Sequence, residues 1–229
     1  MRRIKFVLAA LALATAAPAI AAGLPATWDG LVQVKGKKLA AVYLRPNADF
    51  RAYTKIMLDP AQVAIQKDWE RDYNDSTMSL ANRVTDRDVQ NAISDAQASL
   101  NKIFAETFAK QGYEVVTAPG PDVARISFAV IDLTVTAPDV GTGMEANFAV
   151  DAGEATLVIE VRDSLTNQLL GRGLDRRAAG DEGPGYLRTS ISNRDDFKQL
   201  FQTWADIGAN GLTELRASSP VNTDGIRKQ

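Results

Sequence analysis

Carboxylates are the side chains in this sequence best placed to do chemistry. Glu160 lies within a strongly alternating stretch and Asp163 ends it, while Glu145, Asp151 and Glu154 surround the loop before it. Two carboxyls held about 5 to 9 Å apart can act as glycosidic acid and base, so a carboxylate-dependent hydrolase is one reading. Asp163 also opens Asp163-Ser164-Leu165-Thr166-Asn167. An aspartate there is expected to close a turn on its own backbone without any chemistry.

The other chemistries are thinned by composition. The chain of 229 residues contains no His and no Cys, which removes imidazole-based triads, thiolate nucleophiles, disulfides and His- or Cys-ligated metals. A serine–lysine nucleophile is discounted. The acids between 139 and 154 lack the alternating spacing of a calcium loop. Gly141-Thr142-Gly143 lacks both the dinucleotide pattern and the lysine of a phosphate loop. No metal and no cofactor is therefore expected. Arg172, Arg176 and Arg177 suit an anion, but Asp175 among them points instead to a solvated strand of mixed charge.

A binding role falls most naturally on the segment Ala137 to Gly153, long for a hairpin connection. Met144, Ala146, Phe148 and Val150 alternate within it, so it either extends a sheet edge or lies on a partner. Met144, Glu145, Asn147 and Phe148 are the candidate partner-binding residues.

The elements that must position these groups follow from periodicity. Residues 86–111 read as a helix with a stripe at Val89, Ile93, Ala96, Leu100, Ile103 and Thr107, widened by Phe104 and Phe108. Thr85 is its expected N-cap, Asp88 answers it, and Gly112 suits the left-handed exit. A second helix is expected over 194–216, capped by Asn193, with Phe197, Leu200, Phe201, Trp204, Ile207, Leu212 and Leu215 inward. Gly208 and Gly211 weaken that helix or admit close packing.

Strands are expected at 39–44, 53–58, 125–135, 155–162 and 168–176, with 62–69 open between strand and short helix. Asp29-Gly30 is a turn signal. Gly171 and Gly173 share one face of the return strand and leave room there for a neighbour. Residues 68–82 and 178–190 read as surface loops, and the chain is expected to fray from Ser218. The fold expected is a two-layer α/β sandwich: a mixed, mostly antiparallel sheet with two long helices on one face.

Arg2, Arg3 and Lys5 precede an apolar run from Phe6 to Ala17, and Pro18 and Ala19-Ile20-Ala21 follow. This is the pattern of a signal peptide over 1–21, its apolar run too short for the roughly 20 residues that span a bilayer. A single domain over 22–217 and a polar tail over 218–229 complete the expected organisation. Three of the 26 basic residues and none of the 28 acidic ones lie in the leader, so the net charge falls from −2 to −5 without it. An acidic chain with no basic run lacks the footprint of a nucleic-acid binder.

Several short stretches occur in a telling order: Trp28-Asp29-Gly30-Leu31, Tyr43-Leu44-Arg45-Pro46 followed by Tyr53, and Met57-Leu58-Asp59-Pro60. Ala118-Pro119-Gly120-Pro121-Asp122-Val123, Asp163-Ser164-Leu165-Thr166-Asn167 and Trp204-Ala205 come after. In these the chain resembles a family of exported bacterial proteins of unknown function, many of them lipoproteins. The resemblance implies an envelope protein of Gram-negative type and brings no catalytic residues. This sequence lacks the lipobox cysteine of the lipoprotein members, which excludes a lipid anchor on that residue.

The expectation is thus a periplasmic, non-catalytic binding or accessory module of the cell envelope, not membrane-spanning, with an envelope protein or glycan as partner. Assembly into a homo-oligomer stays open, and a carboxylate-dependent envelope hydrolase is the alternative.

Overall fold

Three 11-residue strands form the centre of the sheet: β7 (Val123–Leu133), β9 (Gly153–Asp163) and β10 (Leu169–Ala179). The computed structural model describes residues 23–77, 80–136, 147–149, 152–180, 186–188 and 190–224. β7, β9 and β10 pair antiparallel in that order. Asn167, at φ 58°, makes the β9–β10 hairpin turn, as its tolerance of the left-handed region suggests.

Beyond β10 a meander of β3 (Ala41–Leu44), β2 (Leu31–Val34) and β1 (Thr27–Trp28) continues antiparallel. Asp29 and Gly30 both have positive φ and form the two-residue turn joining β1 to β2, the conformation such tight hairpins require. On the other side β4 (Lys55–Leu58) and β5 (Gln62–Ile65) lie parallel to successive halves of β7, and β6 (Glu114–Val115) adds to β4. The result is a nine-stranded mixed sheet, mostly antiparallel and not closed. A separate ribbon pairs β8 (Asn147–Ala149) with β11 (Tyr186–Arg188).

The long helices cover one face. α2 (Asp86–Lys110) starts at a capping box in which Asp88 N–H donates to Thr85 Oγ1 and Thr85 N–H donates to Asp88 Oδ2. This satisfies amides that a helix start leaves unpaired. It ends at Gly112, φ 88°. Its stripe buries Leu100, Phe104, Thr107 and Phe108, and Phe104 stacks on Phe128 of β7 with centroids 4.2 Å apart. α3 (Ser190–Ala217) buries Phe197, Leu200, Phe201, Trp204, Ala205, Ala209 and Leu212 in the same core. The opposite face holds a smaller cluster of Leu31, Ala41, Tyr43, Leu169 and Leu174.

Four expectations need correction. α3 begins at Ser190, so Asn193 is not its cap but a buried residue inside its first turn. Residues 69–76 are not loop but a short helix, α1 (Trp69–Ser76). It buries no residue, so no apolar stripe announces it. What holds it is Asn74, whose amide clamps both the N–H and the C=O of Val84, and the stacked rings of Trp69 and Tyr73. Within the expected 178–190 loop, Tyr186–Arg188 is strand.

Of the tail expected to fray, residues 219–223 are held in place, and 225–229 lie outside the described residues. Ser219 Oγ accepts from Phe50 N–H, Val221 exchanges backbone hydrogen bonds with Asn47 and Ala48, and Val221 and Thr223 are buried. Backbone pairing with the loop after β3, rather than an apolar run, holds it down.

Candidate functional site

Of the carboxylates singled out by sequence, the described ones, Glu154, Glu160 and Asp163, are each engaged with different partners. Along β9, Ala155, Leu157, Ile159 and Val161 face the helices. Alternation then places Asp163 on that side and Glu160 on the other. Asp163 closes the hairpin: its Oδ1 accepts from the amides of Leu165 and Thr166 and from the Thr166 hydroxyl, and its Oδ2 accepts from Tyr53 O–H. Burial pushes its pKa up, but these hydrogen bonds outweigh burial and leave it below the ordinary carboxylate value. The partner Tyr53 hydroxyl is pushed up by burial and by the facing carboxylate. A depressed carboxyl at a turn is a poor general acid.

Glu160 is locked between arginines. Oε1 accepts from Arg172 Nε at 2.7 Å and Oε2 from Arg162 Nη2 at 2.8 Å. The Glu160 and Arg172 side chains are 5% and 4% exposed. Arg172 also donates to Asp29 at 2.9 Å and lies over the Trp28 ring, 4.1 Å from its centroid. The positive-φ turn at Asp29-Gly30 therefore places Asp29 and Trp28 against this guanidinium.

Glu154 pairs with Arg176, and Arg177 pairs with Asp175 while also donating to Lys38 O. Each of the three arginines proposed for an anion thus holds a carboxylate. The strand is not solvated throughout, because Arg172 is buried. Glu145, Asp151, Met144 and the rest of the loop tip lie outside the described residues; Asn147 and Phe148 are described only through the backbone pairing of β8 with β11.

What the fold does create is space beneath α3. A cleft of about 710 Å³ opens between the N-terminal halves of α2 and α3. Ile65, Leu133, Val135, Phe197 and Phe201 form its apolar lining, and Asp88, Asp95, Lys102, Arg194 and Lys198 supply charge of both signs. The stem of the long loop emerges here: Val135 lines the cleft and Thr136 N–H donates to Ala152 O at 2.9 Å.

The serine–lysine spacing discounted from sequence is in fact present once, as Ser99-Leu100-Asn101-Lys102, and both side chains line this cleft. They sit mid-helix, where backbone amides are committed to the helix ladder and none is left to receive an oxyanion. Lys102 is exposed and lacks the burial that makes a lysine a base.

A second cavity, about 320 Å³, lies at the other end of α3, against β3, β9, β10 and the turn from Lys35 to Leu39. Sequence reasoning missed it, although four of its lining residues, Gly171, Gly173, Gly208 and Gly211, had been noticed as small. A Cβ on Gly173 would sit 2.6 Å from Leu39 Cδ1 and one on Gly208 would sit 3.2 Å from Ile159 Cδ1, so those two positions are occupied by neighbours. A Cβ on Gly211 would meet nothing within 4 Å.

Among the described residues no group of three or more potential metal ligands converges and no helix is long and apolar enough to cross a membrane. Comparison with protein families returns one match, to the model described as protein of unknown function (DUF3313), over residues 21–207. The chain belongs to this family. No curated protein matches this DUF3313 sequence.

Among solved structures, it is similar to a PelC dodecamer subunit from Paraburkholderia phytofirmans, at 14% identity, 71% of this chain, 94% of that one and TM-score 0.33. A DUF330 protein from Xanthomonas campestris aligns at 9% identity, 77% and 91% coverage and TM-score 0.40. A putative neuraminyllactose-binding hemagglutinin homolog from Helicobacter pylori aligns at 10%, 76%, 89% and 0.39. At these scores the three assign nothing to the DUF3313 chain.

Proposed function

We propose that this DUF3313 protein is an exported, periplasmic binding or accessory module of the cell envelope that works without catalysis. The observation that carries the reading is the 710 Å³ cleft between α2 and α3, with its apolar lining and charges of both signs. Its size falls within the roughly 300–1,000 Å³ of binding clefts, and its mixture of apolar floor and charged rim is that of protein recognition surfaces. The basic, apolar and small-residue sequence of residues 1–21 supports export. The stem of the 137–152 segment stands at the cleft, which supports a joint role in holding an envelope protein.

Two measurements test this. Cell fractionation of the full chain is expected to recover a shortened protein in the periplasm; recovery of the uncleaved chain in the cytosol overturns the location. A photocrosslinker in place of Ala92, which is exposed in the cleft, is expected to trap one envelope protein, and deletion of residues 139–152 to abolish the adduct. A crosslinker in place of the exposed Glu106, outside the cleft, serves as control. Equal labelling from both positions overturns the cleft as the binding surface.

A further inference from the structure

The 320 Å³ cavity at the C-terminal end of α3 has a chemistry of its own, separate from the cleft and independent of the function proposed for it. Its walls are apolar: Val42 and Leu44 from β3, Ile159 and Val161 from β9, and Ile207 and Leu212 from α3. Glycines at 171, 173, 208 and 211 line it; at the first three a Cβ would press on Leu44, Leu39 and Ile159, and at Gly211 it would meet nothing. Gly211 is the telling one. A glycine inside a helix costs stability relative to alanine, and no neighbour within 4 Å requires it; it lines the cavity, and a methyl there would enter open space.

The rim is charged in one predominant sense. Lys35, Lys37 and Lys38 from the β2–β3 turn line the cavity and are exposed, against Glu214 from α3. Three ammonium groups beside an apolar cavity complement a ligand with an apolar body and a negative head. The volume equals about ten water volumes at roughly 30 Å³ each, and a methylene has similar bulk, so the space suits one chain of about ten carbons and not two.

We propose that this cavity binds a fatty-acid-type anion, with one unbranched chain among Val42, Leu44, Ile159 and Leu212 and its carboxylate at Lys35, Lys37 and Lys38. The protein then carries a site for a single-chain amphiphile at one end of α3.

Calorimetric titration of the purified full-length protein with sodium octanoate, nonanoate and decanoate, below their micellar concentrations, tests the proposal. Affinity is expected to rise about fourfold per added methylene, the worth of burying one CH₂. Replacing Lys35, Lys37 and Lys38 together by Ala is expected to weaken decanoate several-fold while leaving decanol unchanged. Gly211→Leu is expected to lower decanoate affinity at least tenfold, and Gly211→Ala to lower it while raising thermal stability. That opposition of signs is not produced by a glycine serving structure alone. Affinity independent of chain length, decanol binding as tightly as decanoate, or an unaffected Gly211→Leu protein overturns the proposal. Preference for lysophosphatidylglycerol over decanoate overturns the assignment of the head group.

Discussion

Replacing Arg172 by Met is expected to destabilise the protein by about 3 kcal/mol. The guanidinium is buried, is bonded to Glu160 and Asp29, and lies over Trp28. Removing one partner of a buried ion pair costs about 3–5 kcal/mol, because the other charge is left uncompensated. Two features put the cost at the low end of that range. Arg162 still holds Oε2 of Glu160, and Arg172 Nη1 has no hydrogen-bond partner, so the wild-type protein already carries an unmade bond worth about 1–3 kcal/mol.

The same orphaned donor makes the double variant Arg172→Met with Glu160→Leu the more informative protein. With both buried charges gone, Arg162 keeps its bond to Asn167 O and Asp29 is half-exposed to water, so stability is expected within about 1 kcal/mol of wild type. Urea unfolding measures this. With a slope of about 2 kcal/mol/M, the single variant lowers the midpoint by about 1.5 M and the double variant by less than about 0.5 M. A double variant less stable than Arg172→Met would refute the reasoning, since the pair would then stabilise beyond compensating its own burial.

Gly153 has φ 138°, and a Cβ there would lie 2.0 Å from the carbonyl oxygen of Thr134, so Gly153→Ala is expected to cost more than about 3 kcal/mol in urea unfolding. Thr85→Ala removes the side-chain half of the α2 capping box and is expected to cost about 1 kcal/mol by the same measurement. Asp163 has a folded pKa below its ordinary value; the unfolded chain therefore takes up the proton first as pH falls. Its contribution is complete above about pH 4 and lost as pH falls through the folded pKa, so melting temperature measured between pH 5 and pH 3 is expected to fall less steeply in Asp163→Asn. Truncation after Ala217 removes the bonds of Ser219 and Val221 to Phe50, Asn47 and Ala48, and is expected to lower the melting temperature by several degrees.

Much of the architecture was legible because apolar periodicity reports burial. α2 announces itself through Leu100, Phe104 and Phe108, its start through Thr85 and Asp88, and the β9–β10 hairpin through Asp163 to Asn167. Elements held by polar groups were not legible. α1 depends on Asn74 reaching Val84, and the end of the chain depends on backbone bonds to residues 47 and 48; neither leaves a period in the sequence.

The candidate site divides the same way. Alternation along β9 separates Glu160 from Asp163, so the pairing of these two, kept as a candidate from sequence, was open to rejection by a rule readable before any coordinates. The cavity at Gly211 was half visible, since its glycines could be counted. That Lys35 to Lys38 stand over it depends on β3 pairing with β10, a contact between residues about 130 positions apart in the chain. No local spacing encodes that.

Besides the four-residue β5, which edges the second half of β7, the nine-stranded sheet finishes at each end in a strand only two residues long, β1 and β6. A neighbouring molecule seeking to extend the ladder finds at those borders too few amides and carbonyls to register against. Beyond its register with β3, β10 carries Arg176 and Arg177, both reached by water, which a foreign strand would have to dehydrate. Growth of the sheet from one molecule into the next is thereby discouraged at the β1 and β6 borders.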